Sequence, residues 1–475
     1  MKKTFKYIVA ATLAVISGST FAQNLSSAYF LDGYAQGHEL NPAKDYDRSA
    51  YFSLPALGNI NFGLKGNLNV KDVLYKNPNG SGLVTYLHPD IDTKTALGGF
   101  SQNNKLAADL RLEILGLGFH AFKGYNTISL AVRTNLGVNV PYDLFELTKV
   151  LTNKEYNIND FGATAMAYAE LGFGHSRQIN DAWRVGAKAK FLLGGGYAKM
   201  KMDNLHLNLA GEDKWVATAN ATVEAGVKGL TWGAPKYSED HQGHRYEEID
   251  FDNINVNSPG VNGFGMAFDL GAEWDLGKQG ILDGMKVSAS LLDLGFINWS
   301  NVLLARNNGT PFEFDGFNNI KVKDSDGEKL GDQVDDLGDR LSELYRLQDG
   351  GTTSKSTPLG ATMNIAAEYK LPAYDRLKFG LLSTTRFQGV YTWNEERVSV
   401  TVSPVKFFEV SANVGVGTLG ASFGWILNIH PKAFNLFIGS DHNLGTVSKQ
   451  FVPLRSNNDF CMGVNIPLGK SRIGK

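Results

Sequence analysis

The feature that most constrains this chain is a two-residue alternation carried over long runs. Met266, Phe268, Leu270, Ala272 and Trp274 alternate with Ala267, Asp269, Gly271, Glu273 and Asp275. Phe408, Val410, Ala412, Val414 and Val416 alternate with Glu409, Ser411, Asn413 and Gly415. Val185, Ala187, Ala189 and Phe191 enclose Gly186, Lys188 and Lys190, and comparable runs recur from Leu106 to Leu427. Period 2 puts one set of side chains on each face of a strand, so one face is apolar and the other polar or glycine. Several runs reach roughly 12 to 18 residues, whereas strands of globular proteins usually have about 5 or 6. Beyond residue 22 no stretch of about 18 apolar residues occurs, which excludes a transmembrane helix. A soluble sandwich shares the alternation; the strand length favours a barrel whose tilted strands cross a membrane.

Composition agrees. Glycine is high at 53, proline low at 14, and Phe and Tyr number 28 and 18. Small residues on one face and bulky ones on the other suit barrel strands. Trp183 and Trp215 open strand-like runs and Trp274, Trp299 and Trp393 close them, the headgroup-level position that tryptophan prefers. Cys461 is the single cysteine, so an internal disulfide is impossible. The formal net charge of −2 gives no basis for nucleic-acid binding.

Residues 1–22 read as a secretory signal peptide: Lys2, Lys3 and Lys6, a short apolar run from Tyr7 to Ile16, then small residues with Thr20 and Ala22 preceding a cut before Gln23. The remainder reads as a single domain. An unpatterned segment, 23–50, precedes a barrel over 51–475.

Sixteen strand-like segments are expected: 60–70, 106–119, 126–139, 161–178, 183–200, 203–211, 214–229, 263–276, 284–300, 357–371, 376–392, 396–404, 407–416, 419–429, 434–441 and 459–468. Segments 203–211 and 396–404 are the weakest, and dropping them leaves fourteen. With simple up-and-down order, the long connections 71–105, 140–160, 230–262, 301–356 and 442–458 all fall on one side and both termini on the other. This is the layout of an outer-membrane barrel with long extracellular loops, short periplasmic turns and an even strand number. In 284–300 the apolar face flips at Leu291–Leu292, which calls for a β-bulge keeping Asp293 off the lipid. Gly194, Gly195 and Gly196 mark a kink in another strand.

Pro141–Val150 reads as a short helix, and the leucines of 331–347 recur at helical spacing. Asp324, Asp326 and Gly327 lack the glycine position of a calcium loop, and His241 and His244 have no element to fix them as metal ligands. No nucleophile elbow, P-loop, zinc-protease or dinucleotide motif is present, so neither enzymatic activity nor a cofactor or metal is expected.

Asn41-Pro42-Ala43, after the unpatterned segment, resembles the element of that sequence in the FadL-like transporters of hydrophobic compounds. Leu291-Leu292-Asp293-Leu294-Gly295-Phe296-Ile297-Asn298-Trp299, with the stretch 51–61, resembles an uncharacterised family of Bacteroidetes outer-membrane barrels, over most of the mature chain. The FadL likeness implies fourteen strands, with 23–50 folded inside as a plug whose hatch includes Asn41, Pro42 and Ala43. It also implies a lipophilic ligand leaving sideways through a wall gap, placed here at Gly194–Gly196.

The sequence therefore predicts an all-β transmembrane antiparallel barrel of about 14–16 strands with an N-terminal plug, in the outer membrane of a Gram-negative cell. Its expected partners are the lipid bilayer, a small hydrophobic ligand and the barrel-assembly machinery, the last reading Ile466 and Leu468 ahead of the tail from Gly469. Passive uptake of a hydrophobic compound leads. The alternative is a structural or surface-interaction barrel whose long loops bind a protein. A polar porin is third, and a plugged lumen would contradict it.

Overall fold

The computed structural model describes residues 25–80, 82–150, 155–208, 215–239, 245–250, 253–307, 312–314, 347–442 and 456–471. The signal peptide, most of the 331–347 helix, His241, His244 and the Asp324–Gly327 stretch lie outside these residues.

Among the described residues fourteen antiparallel strands close into one barrel. β1 runs in two pieces, Arg48–Ser53 and Ile60–Gly66, and is followed by β2 (Asn103–Ala121), β3 (Gly124–Pro141), β4 (Phe161–Gln178) and β5 (Trp183–Asn208). β6 is interrupted, Trp215–Val227 and then Gly263–Asp275; β7 is Met285–Arg306, and β8 comprises Gln348–Pro358 and Ala361–Lys370. β9 (Leu377–Phe387), β10 (Trp393–Val405), β11 (Phe408–Gly417), β12 (Gly420–Ile429), β13 (Asn435–Ser440) and β14 (Asn458–Ser471) complete the wall. β14 pairs with both pieces of β1, so no edge remains. Closure satisfies the backbone groups within the sheet, the condition for strands to lie in hydrocarbon.

The sixteen expected segments reduce to fourteen, but not by losing the two weakest. Segment 203–211 is the far end of β5, while 396–404 is β10, a full strand. Segments 214–229 and 263–276 are the two halves of β6, both paired with β5. The connection 230–262 is therefore not an end loop: it leaves the wall in mid-strand. Alternation along the chain cannot distinguish one broken strand from two whole ones.

The two faces are inside-out relative to a soluble protein. Outward-pointing Phe191, Met266, Phe268, Leu270, Leu294, Ile365, Leu381, Val414 and Val416 are exposed. Inward-pointing Arg111, Glu113, Glu170, Lys188, Lys190, Asp269, Glu409 and Ser411 are buried. A continuous apolar exterior around a charged interior suits a wall whose outer solvent is lipid. No helix among the described residues is long and apolar enough to cross a membrane. Trp183 and Trp274 stack at the short-turn end, rings 5.1 Å apart, as an interfacial pair should. Trp299 and Trp393 instead turn inward and are buried, so the strand-end reading fails for them.

The predicted flip in β7 is a bulge. Leu292 and Asp293 both point inward, and Asp293 has φ 58°. The expected helix is present as Tyr142–Lys149, with Pro141 at its N-cap. At the long-loop end Phe145 of this helix stacks on Phe100, centroids 3.7 Å apart, within an apolar cluster that includes Val84, Tyr86, Ile91 and Leu97.

The β2–β3 turn has two central residues with positive φ, Phe122 at 55° and Lys123 at 59°. Two-residue hairpins favour this geometry, but glycine or asparagine adopts it with less strain. Lys123→Gly is expected to stabilise the barrel by about 1 kcal/mol, read as a higher urea midpoint for unfolding in micelles.

Candidate functional site

The first layer of the interior is the segment 25–47, which lies inside the ring of strands. Its bonds reach the wall on every side. Ser26 N and Ser27 N donate to Asp441 at 2.7 Å, beyond the end of β13. Asp32 N and Gly33 N donate to Glu409 of β11 at 3.0 and 2.9 Å. Gln36 Nε2 donates to Glu113 of β2 at 2.9 Å and to Asn465 of β14 at 3.2 Å. Ser290 of β7 donates to Leu40 O at 2.8 Å. An apolar cluster of Leu25, Tyr29, Phe30 and Tyr34 with Ile426 and Phe437 fills the space between.

Asn41, Pro42 and Ala43 are all buried. They sit on Gly186 of β5 and Gly271 of β6, which face each other in the ladder. A methyl group on Gly186 would overlap the Pro42 carbonyl, and one on Gly271 the Asn41 amide oxygen. Asn41 Oδ1 accepts from Ala43 N at 2.9 Å, and its Nδ2 donates to Tyr29 Oη at 3.3 Å. The tripeptide is thus a turn fitted to two wall glycines. The alternating pattern showed these glycines as inward positions but gave no reason to single them out.

A layer of ion pairs lies against this segment. Glu39 meets Lys188 at 2.7 Å and Arg111 at 2.9 Å. Arg133 holds Asp293 through 2.7 and 2.9 Å bonds and Glu170 at 3.1 Å. Lys190 bridges Asp269 at 2.7 Å and Asp293 at 2.6 Å. A buried charge requires a partner, and each strand here supplies one to its neighbours. The space left within the layer is about 40 Å³, between Glu39, Asp109, Arg111, Arg133, Lys190 and Arg386. A water needs roughly 10–15 Å³ of such space, so the layer has room for a few waters and not for a larger molecule.

Beyond the ionic layer the lumen opens into a cavity of about 600 Å³. Phe161 and Met166 of β4, Tyr197 of β5, Leu359 between the pieces of β8, and Phe387, Val390 and Tyr391 at the end of β9 line it. Because β4 and β5 are not neighbours of β8 and β9, a space bounded by both lies within the barrel. The turn Gly389–Tyr391 brings the Tyr391 ring over Gly137 of β3, where a methyl group would sit 2.8 Å from the ring. Asn135 and Asn139 of β3 and Lys199 and Lys201 of β5 add polar groups. Asn135 also lines the ionic layer, so the two spaces adjoin.

The Gly194–Gly196 stretch lies where β6 is interrupted. Gly194 pairs with Gly263 and Gly196 with Val227, the two broken ends. Gly195 has no ladder partner in β6, and on the other side the register with β4 slips between Ala167 and Tyr168. The Asn41-Pro42-Ala43 turn and the Gly194–Gly196 stretch therefore lie on the same β5–β6 wall, at two heights. The cavity residues were not singled out in the sequence. Tyr197 follows the triple glycine directly, but Leu359 and Tyr391 fall at strand ends, where alternation lapses.

These features define a transmembrane β-barrel with an occupied lower lumen and an apolar upper cavity. The chain belongs to the family of unknown function DUF5723, whose profile matches residues 42–441. Among the curated proteins nothing matches it. Solved structures similar to it include the Pseudomonas putida toluene transporter TodX, 9% identical over 96% of this chain and 98% of that one, TM-score 0.42. The Ralstonia pickettii toluene transporter TbuX is 7% identical over 95% and 96%, TM-score 0.42. A Pseudomonas aeruginosa FadL homologue is 11% identical over 95% and 96%, TM-score 0.37.

Asp293→Ala removes the partner shared by Arg133 and Lys190 and is expected to destabilise the barrel by about 3 kcal/mol, measured by urea unfolding in micelles. Gly271→Ala displaces Asn41 while leaving the wall paired. It is expected to expose the 25–47 segment to limited proteolysis, with the barrel itself still resistant.

Proposed function

We propose that this chain is an outer-membrane barrel that passively takes up a small hydrophobic compound. The cavity bounded by Phe161, Met166, Tyr197, Leu359 and Tyr391 carries this reading. Its volume falls within the range of ligand pockets, about 300–1,000 Å³, and apolar side chains dominate its wall. In this reading the segment 25–47 is the plug, and Asn41, Pro42 and Ala43 seat its hatch on Gly186 and Gly271. The ion-paired layer beneath the cavity opposes straight passage of an apolar molecule, because passage would separate buried charges without replacing their partners. Sideways release at Gly194–Gly196 avoids that layer. The short turns face the periplasm, as outer-membrane barrels arrange them, and insertion falls to the barrel-assembly machinery, which reads the outward Ile466 and Leu468. No covalent chemistry and no cofactor enters.

The interaction barrel is the second reading. The apolar packing of Phe100 on Phe145 favours it, because it gives the long-loop end a shaped surface.

The test is a crystal soaked in 1-bromonaphthalene, with bromine located by anomalous scattering. Bromine among Tyr197, Leu359 and Tyr391 is expected. Bromine confined to the outer apolar belt would overturn the uptake reading and leave the interaction barrel. Leu359→Asn, which lines the cavity with an amide, is expected to weaken occupancy about ten-fold.

A further inference from the structure

We infer that Trp299 is the shutter of a lateral port in the β5–β6–β7 wall, and that Asn262 is the residue that holds the port closed. This rests on the uptake reading above and assigns its exit step to particular side chains.

The wall carries a seam here, where the two ends of the interrupted β6 abut. β7 pairs with the lower half of β6 up to Trp299, opposite Gly263, and with the upper half from Leu303, opposite Ala225. Between them a single residue, Asn262, spans the seam. Its N–H donates to Gly194 O on β5 at 2.8 Å, and its carbonyl accepts from Ser300 N on β7 at 2.8 Å. Its side-chain Nδ2 donates to Asn301 O at 2.9 Å. The amide is buried, and its Oδ1 has no hydrogen-bond partner. An unsatisfied buried acceptor is unfavourable, so the closed arrangement is held less firmly than a complete ladder.

On the lumen side the Trp299 indole lies against Gly194 and Gly263 at this seam. A methyl group on Gly194 would be 2.5 Å from the ring and one on Gly263 would be 2.9 Å from it. Both positions are glycine where the ring must lie against the backbone. The indole is fully buried, stacks on Tyr197 at 5.5 Å, and donates from Nε1 to Thr357 at 2.8 Å. Tyr197 and Thr357 both line the apolar cavity. The ring therefore stands between the cavity and the break, with one polar tether and one stacking partner.

The port has a definite height. Trp183 marks the interface at the short-turn end, and Gly195 lies roughly 40 Å further along β5 at the usual rise per residue. With a strand tilt near 40° this is roughly 30 Å of height, against an apolar band of about 25 Å. The break thus lies just past the far edge of the hydrocarbon, flanked outside by exposed Val261 and Phe264. A molecule passing the indole moves from an apolar cavity to the edge of the lipid without crossing the ionic layer.

The test compares N-phenyl-1-naphthylamine uptake in cells whose outer leaflet is lipopolysaccharide, expressing the full chain or a variant, with correct folding checked by the heat-dependent band shift. Trp299→Ala and Asn262→Ala are each expected to raise the uptake rate about ten-fold, with Trp299→Phe near the parent. Hydrolysis of nitrocefin by periplasmic β-lactamase, a readout for polar leakage, is expected to stay unchanged. If Trp299→Ala does not fold, Asn262→Ala carries the test. Unchanged or slower uptake in the folded variants, with bromonaphthalene still in the cavity, would overturn the shutter and leave the uptake reading standing. An equal rise in nitrocefin hydrolysis would also overturn it, since the wall would then be merely damaged. A cavity that never takes bromonaphthalene removes both.

Discussion

In hydrocarbon, a strand must hand its backbone N–H and C=O groups to a neighbouring strand, because no water is there to take them. The closure of β14 onto β1 meets that condition around the wall. It also confines irregular backbone to particular places. The β7 bulge at Asp293 lies where Arg133 and Lys190 accept the extra inward carboxylate. The β6 interruption lies beside the far edge of the apolar band, and Asn262 restores bonds to both neighbouring strands. Position in the membrane thus decides which departures from the ladder are tolerable.

The second constraint follows from the first. Outward faces are given to lipid, so charged residues collect inside and must be paired there. Glu39 links this wall chemistry to the inner segment, since it is the segment's partner for Lys188 and Arg111. Above that layer the inward positions change character to Met166, Tyr197 and Leu359, and the lining of the interior becomes largely apolar. The change from paired charge to apolar lining divides the lumen into a filled, charged lower part and an apolar upper part.

Much of this was legible in the sequence. The run around Phe268 and the run around Val414 placed the correct side chains outward, and the flip at Leu291–Leu292 located the bulge. Asn41-Pro42-Ala43 is buried and the ladder is irregular at Gly194–Gly196. Strand number was less legible, because the two halves of β6 each carry a full strand's alternation, and only pairing with β5 shows that they are one. Trp299 ends a strand-like run as an interfacial tryptophan would, yet it is buried in the lumen. Its face is set by the Leu292–Asp293 bulge, and a shift of one residue exchanges lipid for lumen. The cavity was not legible at all. It is assembled from β4, β5, β8 and β9, and their adjacency across the lumen depends on how the barrel closes.

The most direct measurement is a structure of the protein extracted in native-membrane nanodiscs, with mass spectrometry of what travels with it. One class of elongated apolar molecule, seated between Tyr197 and Tyr391 above an intact ion-paired layer, is the expected result. A column of water running unbroken from the long loops to the short turns, with no apolar molecule retained, would contradict it.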